Sequence, residues 1–165
     1  MKEADLIAQA QAQVPDETVS AAGVFQPRGT QAGMDIGAGG AGNTFGHGLT
    51  GMAVGAISIA AGEAAGRGLS VAEGIPRWTL MAVTPTKLYA FHVLSPTDGL
   101  SFEMKELFRV WSLDAITVHV SGRVGTKLFI VDDHAEGHSY EFEGFRWGWQ
   151  HANVVMQVFA GDHAR

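Results

Sequence analysis

Trp78 to Leu94, WTLMAVTPTKLYAFHVL, is the stretch whose reading decides the fold. Two apolar runs, Trp78–Val83 and Leu88–Leu94, flank Thr84-Pro85-Thr86-Lys87. Proline presets the backbone dihedral that a tight turn needs, so the runs fold back on each other as a β-hairpin.

Outward from this hairpin the same grammar repeats. Ser95-Pro96-Thr97-Asp98-Gly99 is a further cluster of turn formers. Phe102–Val110 (FEMKELFRV) is open to two readings, a short strand or a helical turn. Ala115–Val120 (AITVHV) and Lys127–Val131 (KLFIV) flank the turn SGRVG, and Ser139–Phe142 (SYEF) follows the polar tip DDHAEGH. On the other side, Glu17–Gln26 (ETVSAAGVFQ) gathers β-branched and apolar residues without a helical period, and Pro27-Arg28-Gly29 closes it. Short strands at regular spacing with hairpin connections predict a mainly β (α+β) fold, an antiparallel sandwich or partly open barrel.

Helices are expected at both ends. Trp149, Ala152, Met156 and Phe159, with Val155 beside them, recur at helical spacing, which predicts an amphipathic helix over Trp147–Ala160 lying on the sheets. Ala4, Ile7, Gln11 and Val14 mark one side of a weakly apolar helix that Pro15 ends, expected outside the core. The chain divides into an N-terminal helix at 1–14, a main domain at 15–160 interrupted by a Gly/Ala-rich insertion at 29–72, and a tail at 161–165.

That insertion is unlike the rest. Thirteen of the 22 glycines lie between Gly29 and Gly68, so backbone entropy opposes regular structure unless another backbone is to come close. Gly51, Gly55, Gly62 and Gly66 fall on one stripe of a helix at 100° per residue, a small-xxx-small surface for packing a second helix. From Leu49 to Ala61 every residue is apolar or small, and Met52, Val54, Ile57 and Ile59 set the run apart from an ordinary flexible linker. Thirteen uniform residues fall short of the roughly 20 a membrane-spanning helix needs, so an interfacial segment or an oligomer seam is expected in place of a span.

A formal charge of −6 argues against nucleic acid as a partner, since a basic patch is needed to displace counterions. No cysteine is present, which removes disulfides, thiol nucleophiles and Cys-based zinc sites. MKEADLIAQAQAQVPDE carries acids and no apolar core of signal-peptide length, so a cytoplasmic protein is expected, peripheral at the inner face of a membrane if it docks there.

Over about residues 15–160 the chain resembles bacterial PH-like (GRAM-like) domains. The resemblance rests on LMAVTPTKLYAF, on WSLDAITVHV leading through a glycine turn into TKLFIVDD, and on a closing helix with a Trp near its start. It implies two antiparallel sheets capped by the C-terminal helix, and binding of lipid headgroups, peptides or proteins. Where headgroup-binding members carry basic residues between the first two strands, this chain has the insertion, with Arg28 and Arg67 near its ends.

Four constellations bear on chemistry. Gly37, Gly39 and Gly42 match G-x-G-x-x-G with Glu63 about 20 residues on, but no buried strand precedes them, and a run this rich in glycine produces such matches by chance. Asp132, Asp133, His134, Glu136 and His138 could form an oxygen/imidazole metal cluster, or be an ordinary solvated hairpin tip. His92 and His119, inside strand patterns, read as core or cross-strand residues. No G-x-S-x-G is present, and no serine sits where a nucleophile would. In EGFRWGWQ, Phe145, Arg146, Trp147 and Trp149 form an aromatic knot, with Trp149 expected inward and Trp147 free to meet a partner.

The sequence therefore predicts a non-catalytic binding or scaffold module without cofactor or metal. Phe45, Leu49, Met52, Val54, Ile57, Ile59 and Trp147 are its expected contacts with a membrane surface or membrane-bound complex. One alternative is a homo-oligomeric scaffold held by Gly51, Gly55, Gly62 and Gly66. The other is a metal-dependent hydrolase using the Asp132–His138 tip.

Overall fold

The computed structural model describes residues 2–28, 75–94, 102–122, 126–145 and 150–160. Helix α1 (Glu3–Gln13) is followed by strands β1 (Ala21–Pro27), β2 (Thr79–Val83), β3 (Lys87–Leu94) and β4 (Glu103–Ser112). A 3₁₀ turn (Leu113–Ala115) then leads to β5 (Ile116–Gly122), β6 (Thr126–Asp133), β7 (His138–Phe145) and helix α2 (Ala152–Ala160). The seven strands are antiparallel in the order β4-β3-β2-β1-β7-β6-β5, and the end strands β4 and β5 do not pair, so the sheet is not closed. The expected mainly β, α+β architecture with a helix at each end is what the chain adopts.

β1 turns the corner between the halves. Ala21 to Phe25 pair with β2, while Gln26 and Pro27 pair with β7. Where β7 has not yet joined, the Val24 N–H donates to the Gln150 carbonyl at 2.8 Å. The segment entering α2 therefore plugs the gap between β1 and β7. That approach needs glycine. A Cβ on Gly23 would lie 2.7 Å from the His151 oxygen and 2.8 Å from the Ala152 Cα, and one on Gly144 would lie 2.5 Å from the Ala152 Cβ.

The expected helix over Trp147–Ala160 is shorter at its start. Gln150 is in a turn and His151 has φ 52°, so regular helix begins at Ala152. The physical cause is the same corner, because the Gln150 carbonyl is committed to β1. Ala152, Val155 and Met156 are buried in the main core and Phe159 packs against it, as the helical spacing predicted. That core draws residues from all seven strands, among them Phe25, Met81, Leu88, Trp111, Val118, Phe129 and Phe142.

A second core lies on the outer face of β1–β3. α1 sits there, with Leu6, Ala10 and Val14 buried against Ala22, Val24, Leu80 and Ala82. The expectation of a helix outside the core is corrected, and so is its face: Ala4 is exposed and Ile7 half-buried. Gln11 is not a packing residue but a tie. Its Nε2 donates to the carbonyls of Val14 (2.6 Å) and Glu17 (2.8 Å), and its Oε1 accepts from the Val19 N–H at 2.9 Å. These bonds fix the path from α1 into β1.

The ambiguous Phe102–Val110 stretch is strand β4. Its register against β3 steps between Ala90 and Phe91 and again between Phe91 and Val93, so β4 carries extra residues there. Bulges break strict alternation, which is why Met104, Leu107, Phe108 and Trp111 show a helical spacing in an extended chain.

Candidate functional site

The insertion expected to carry function leaves the sheet between two paired strands. Phe25 of β1 faces Thr79 of β2, so the strand residues nearest to 29–74 on either side lie at one end of the same antiparallel pair. Both roots are fastened. The Arg28 N–H donates to the Glu141 carbonyl at 3.1 Å, and its guanidinium pairs with the Glu141 carboxylate. That pair raises the Arg28 pKa further above its ordinary value, with Glu143 nearby adding to it. On the return side Ile75 is buried in the main core, while Trp78 packs on the outer core with its ring 6.2 Å from Phe102. The Trp78 carbonyl accepts from the Val93 N–H at 3.1 Å. The described residues on both sides of 29–74 are thus tied to the sheet and its cores.

Phe45, Leu49, Met52, Val54, Ile57, Ile59 and Trp147, and the packing stripe Gly51, Gly55, Gly62 and Gly66, lie outside the described residues. So do Gly37, Gly39, Gly42, Glu63, Arg67, Arg146 and Trp149. Among the described residues no helix is long and apolar enough to cross a membrane.

The Asp132–His138 tip is described, and its side chains disperse. Asp132 accepts from the Ser139 hydroxyl through Oδ1, and its Oδ2 is 3.0 Å from His119 Nε2. Asp133 is buried, and its Oδ1 accepts from the Ala135 and Glu136 N–H groups at 2.9 and 3.1 Å. Gly137, at φ 65°, closes the turn by donating to the Asp133 carbonyl at 2.8 Å. His134 Nε2 is 2.8 Å from the Thr117 hydroxyl. Donors that alternate across a hairpin point to opposite faces, and among the described residues no three acids or imidazoles are placed to hold a metal ion. His92, half-buried, is 3.0 Å from Glu106 across β3 and β4, and the bond to His92 holds the Glu106 carboxyl below its ordinary value. Both strand histidines are cross-strand residues.

One cluster was not foreseen. Glu136 accepts from Arg109 on β4 through one oxygen and from the Tyr140 hydroxyl, at 3.0 Å, through the other. The Arg109 guanidinium lies 5.1 Å from the centre of the Tyr140 ring, which Phe108, Trp111 and His138 surround edge-on. Burial, reinforced by the bond to Glu136, raises the Tyr140 pKa. For Arg109 burial opposes the charge, but Glu136, Tyr140 and Asp133 outweigh it and the pKa rises. Nothing in sequence joins Arg109 to a tip 27 residues away. No family model, curated protein or solved structure matches the chain.

Proposed function

We propose that this chain is a PH-like, non-catalytic binding module that docks on a membrane or membrane-bound complex through its β1–β2 insertion. The observation that carries the reading is the anchoring of the residues that border the insertion, by Arg28–Glu141 on one side and by Ile75 with Trp78 on the other. The strand order with a C-terminal helix supports the PH-like assignment. Phe45, Leu49, Met52, Val54, Ile57 and Ile59 supply the driving force, about 1.5–3 kcal/mol for each large side chain fully buried, less the cost of ordering the glycines. Arg28 is already neutralised by Glu141, so charge adds little and docking persists at high salt.

Liposome flotation tests the reading, comparing the whole chain with one in which Thr30 to Gly68 is replaced by a short polar loop. The whole chain is expected to float at low and high salt and the replaced chain to stay down. If neither floats, docking is wrong. A change of oligomeric state on the same replacement then selects the scaffold held by Gly51, Gly55, Gly62 and Gly66.

A further inference from the structure

We propose that Arg109, Trp111 and Tyr140 form a carboxylate-binding site, which the side chain of Glu136 occupies from within. The site lies on the open seam, where β4 faces the β6–β7 hairpin. Glu136 shows what fits: a single carboxylate bridging the Arg109 guanidinium and the Tyr140 hydroxyl. The Trp111 ring packs against Tyr140 at 5.3 Å, and its buried Nε1–H has no acceptor among the described residues. A buried donor left unpaired costs stability and is normally met by a protein group, a water or a ligand. A carboxylate offers about four lone-pair sites, so one that bridges Arg109 and Tyr140 still has acceptor capacity to spare.

Glu136 can leave without unfolding its turn. Its backbone N–H and that of Ala135 are held by the Asp133 carboxylate, and Gly137 by the Asp133 carbonyl. None of these bonds uses the Glu136 side chain, which is 47 % exposed and can rotate into water. The guanidinium it vacates remains over the aromatic ring, a setting that favours planar recognition of a carboxylate. A dianion fits poorly, because one arginine faces it while Asp133 stands close by. The ligand is thus a singly charged carboxylate, either a small organic acid or the free end of a peptide.

Indole N–H resonances of ¹⁵N-labelled protein test this, with Trp111→Phe identifying the Trp111 signal. In Glu136→Ala, acetate should move that signal saturably, with a Kd at least tenfold lower than in the unchanged chain, and chloride at equal ionic strength should not. A short acetylated peptide compared with its C-terminally amidated form separates the two sources: stronger binding by the free carboxylate form selects a chain end, and equal weakness beside acetate selects a small acid. Adding Arg109→Met to Glu136→Ala should abolish the response. A folded Glu136→Ala protein without a saturable shift, or a shift that persists without Arg109 or appears with chloride, overturns the site. Should Glu136→Ala unfold, Glu136→Gln keeps an acceptor for Tyr140 and is read by the same criteria.

Discussion

Strands β1 and β2 are buried at every residue, whereas β5 alternates between buried and open positions before ending exposed at Ser121 and Gly122. The two halves share one core but differ in what lies outside it. α1 covers the outer face of β1 and β2, so Ala22, Val24, Leu80 and Ala82 are as hidden as the residues facing inward. No helix among the described residues covers the outer face of β5–β7, where side chains pair with one another: Thr117 with His134, and Asp132 with both His119 and Ser139. A strand with two covers reads as a continuous apolar run, and a strand with one cover reads as an alternation. The comparison therefore teaches that stability is spread over two faces in one half and concentrated on one face in the other.

Phe129→Ala strikes what the halves share. The ring is fully buried, 5.1 Å from Phe25 and 5.6 Å from Phe159, so a loss of about 3–5 kcal/mol is expected in urea unfolding. A loss below 1 kcal/mol would mean that the two halves are not joined through this core. Leu6→Ala tests the second face. About 2–4 kcal/mol should go, and hydrogen exchange should rise in β1 and β2 more than in β6; uniform exchange would deny α1 its covering role.

Gly23→Ala probes the corner itself. The new methyl meets backbone at His151 and Ala152, which cannot rotate aside, so about 1–3 kcal/mol should be lost and α2 displaced. A variant as stable as the parent would place the helix start farther from β1.

Smaller still, and confined to acid, is the tie between the α1–β1 linker and the β2–β3 turn. Glu17 pairs with Lys87 at 2.8 Å and accepts from the Thr86 hydroxyl at 2.8 Å, and the bond to Lys87 leads in lowering its pKa from 4.5 to about 2. Because the folded value is depressed, the contribution is complete above about 4.5 and disappears as the pH falls towards 2. Glu17→Gln should lower the melting temperature at neutral pH and match the parent near pH 2. A constant gap across that range would deny the pairing. The least effect belongs to the open face: His119→Ala breaks an exposed pair with Asp132 and should change stability by no more than about 0.5 kcal/mol.

Much of the architecture was legible because it is local. The turn Thr84–Lys87 forms as read, with the Thr84 N–H donating to the Lys87 carbonyl at 2.9 Å and the Lys87 N–H to the Thr84 hydroxyl at 3.0 Å. Local signals misled where a distant partner intervened. The start of α2 is delayed by a carbonyl committed to Val24, and β4 looks helical because its bulges shift the side-chain period. Gln11, counted among the apolar positions of α1, is spent on three backbone groups.

By itself the sequence determined the kind of protein this is: antiparallel strands from alternation and turn residues, a helix at each end, no cysteine chemistry, and an apolar Gly/Ala insertion between the first two strands. Each of these depends on neighbours within a few residues, where sterics and solvation act directly. Only the tertiary structure decided that β1 changes partners at Gln26, that α1 owns a core of its own, and that Arg109 meets Glu136 over Tyr140. These depend on which surfaces are brought face to face when the sheet bends, and no local spacing in the chain encodes that meeting.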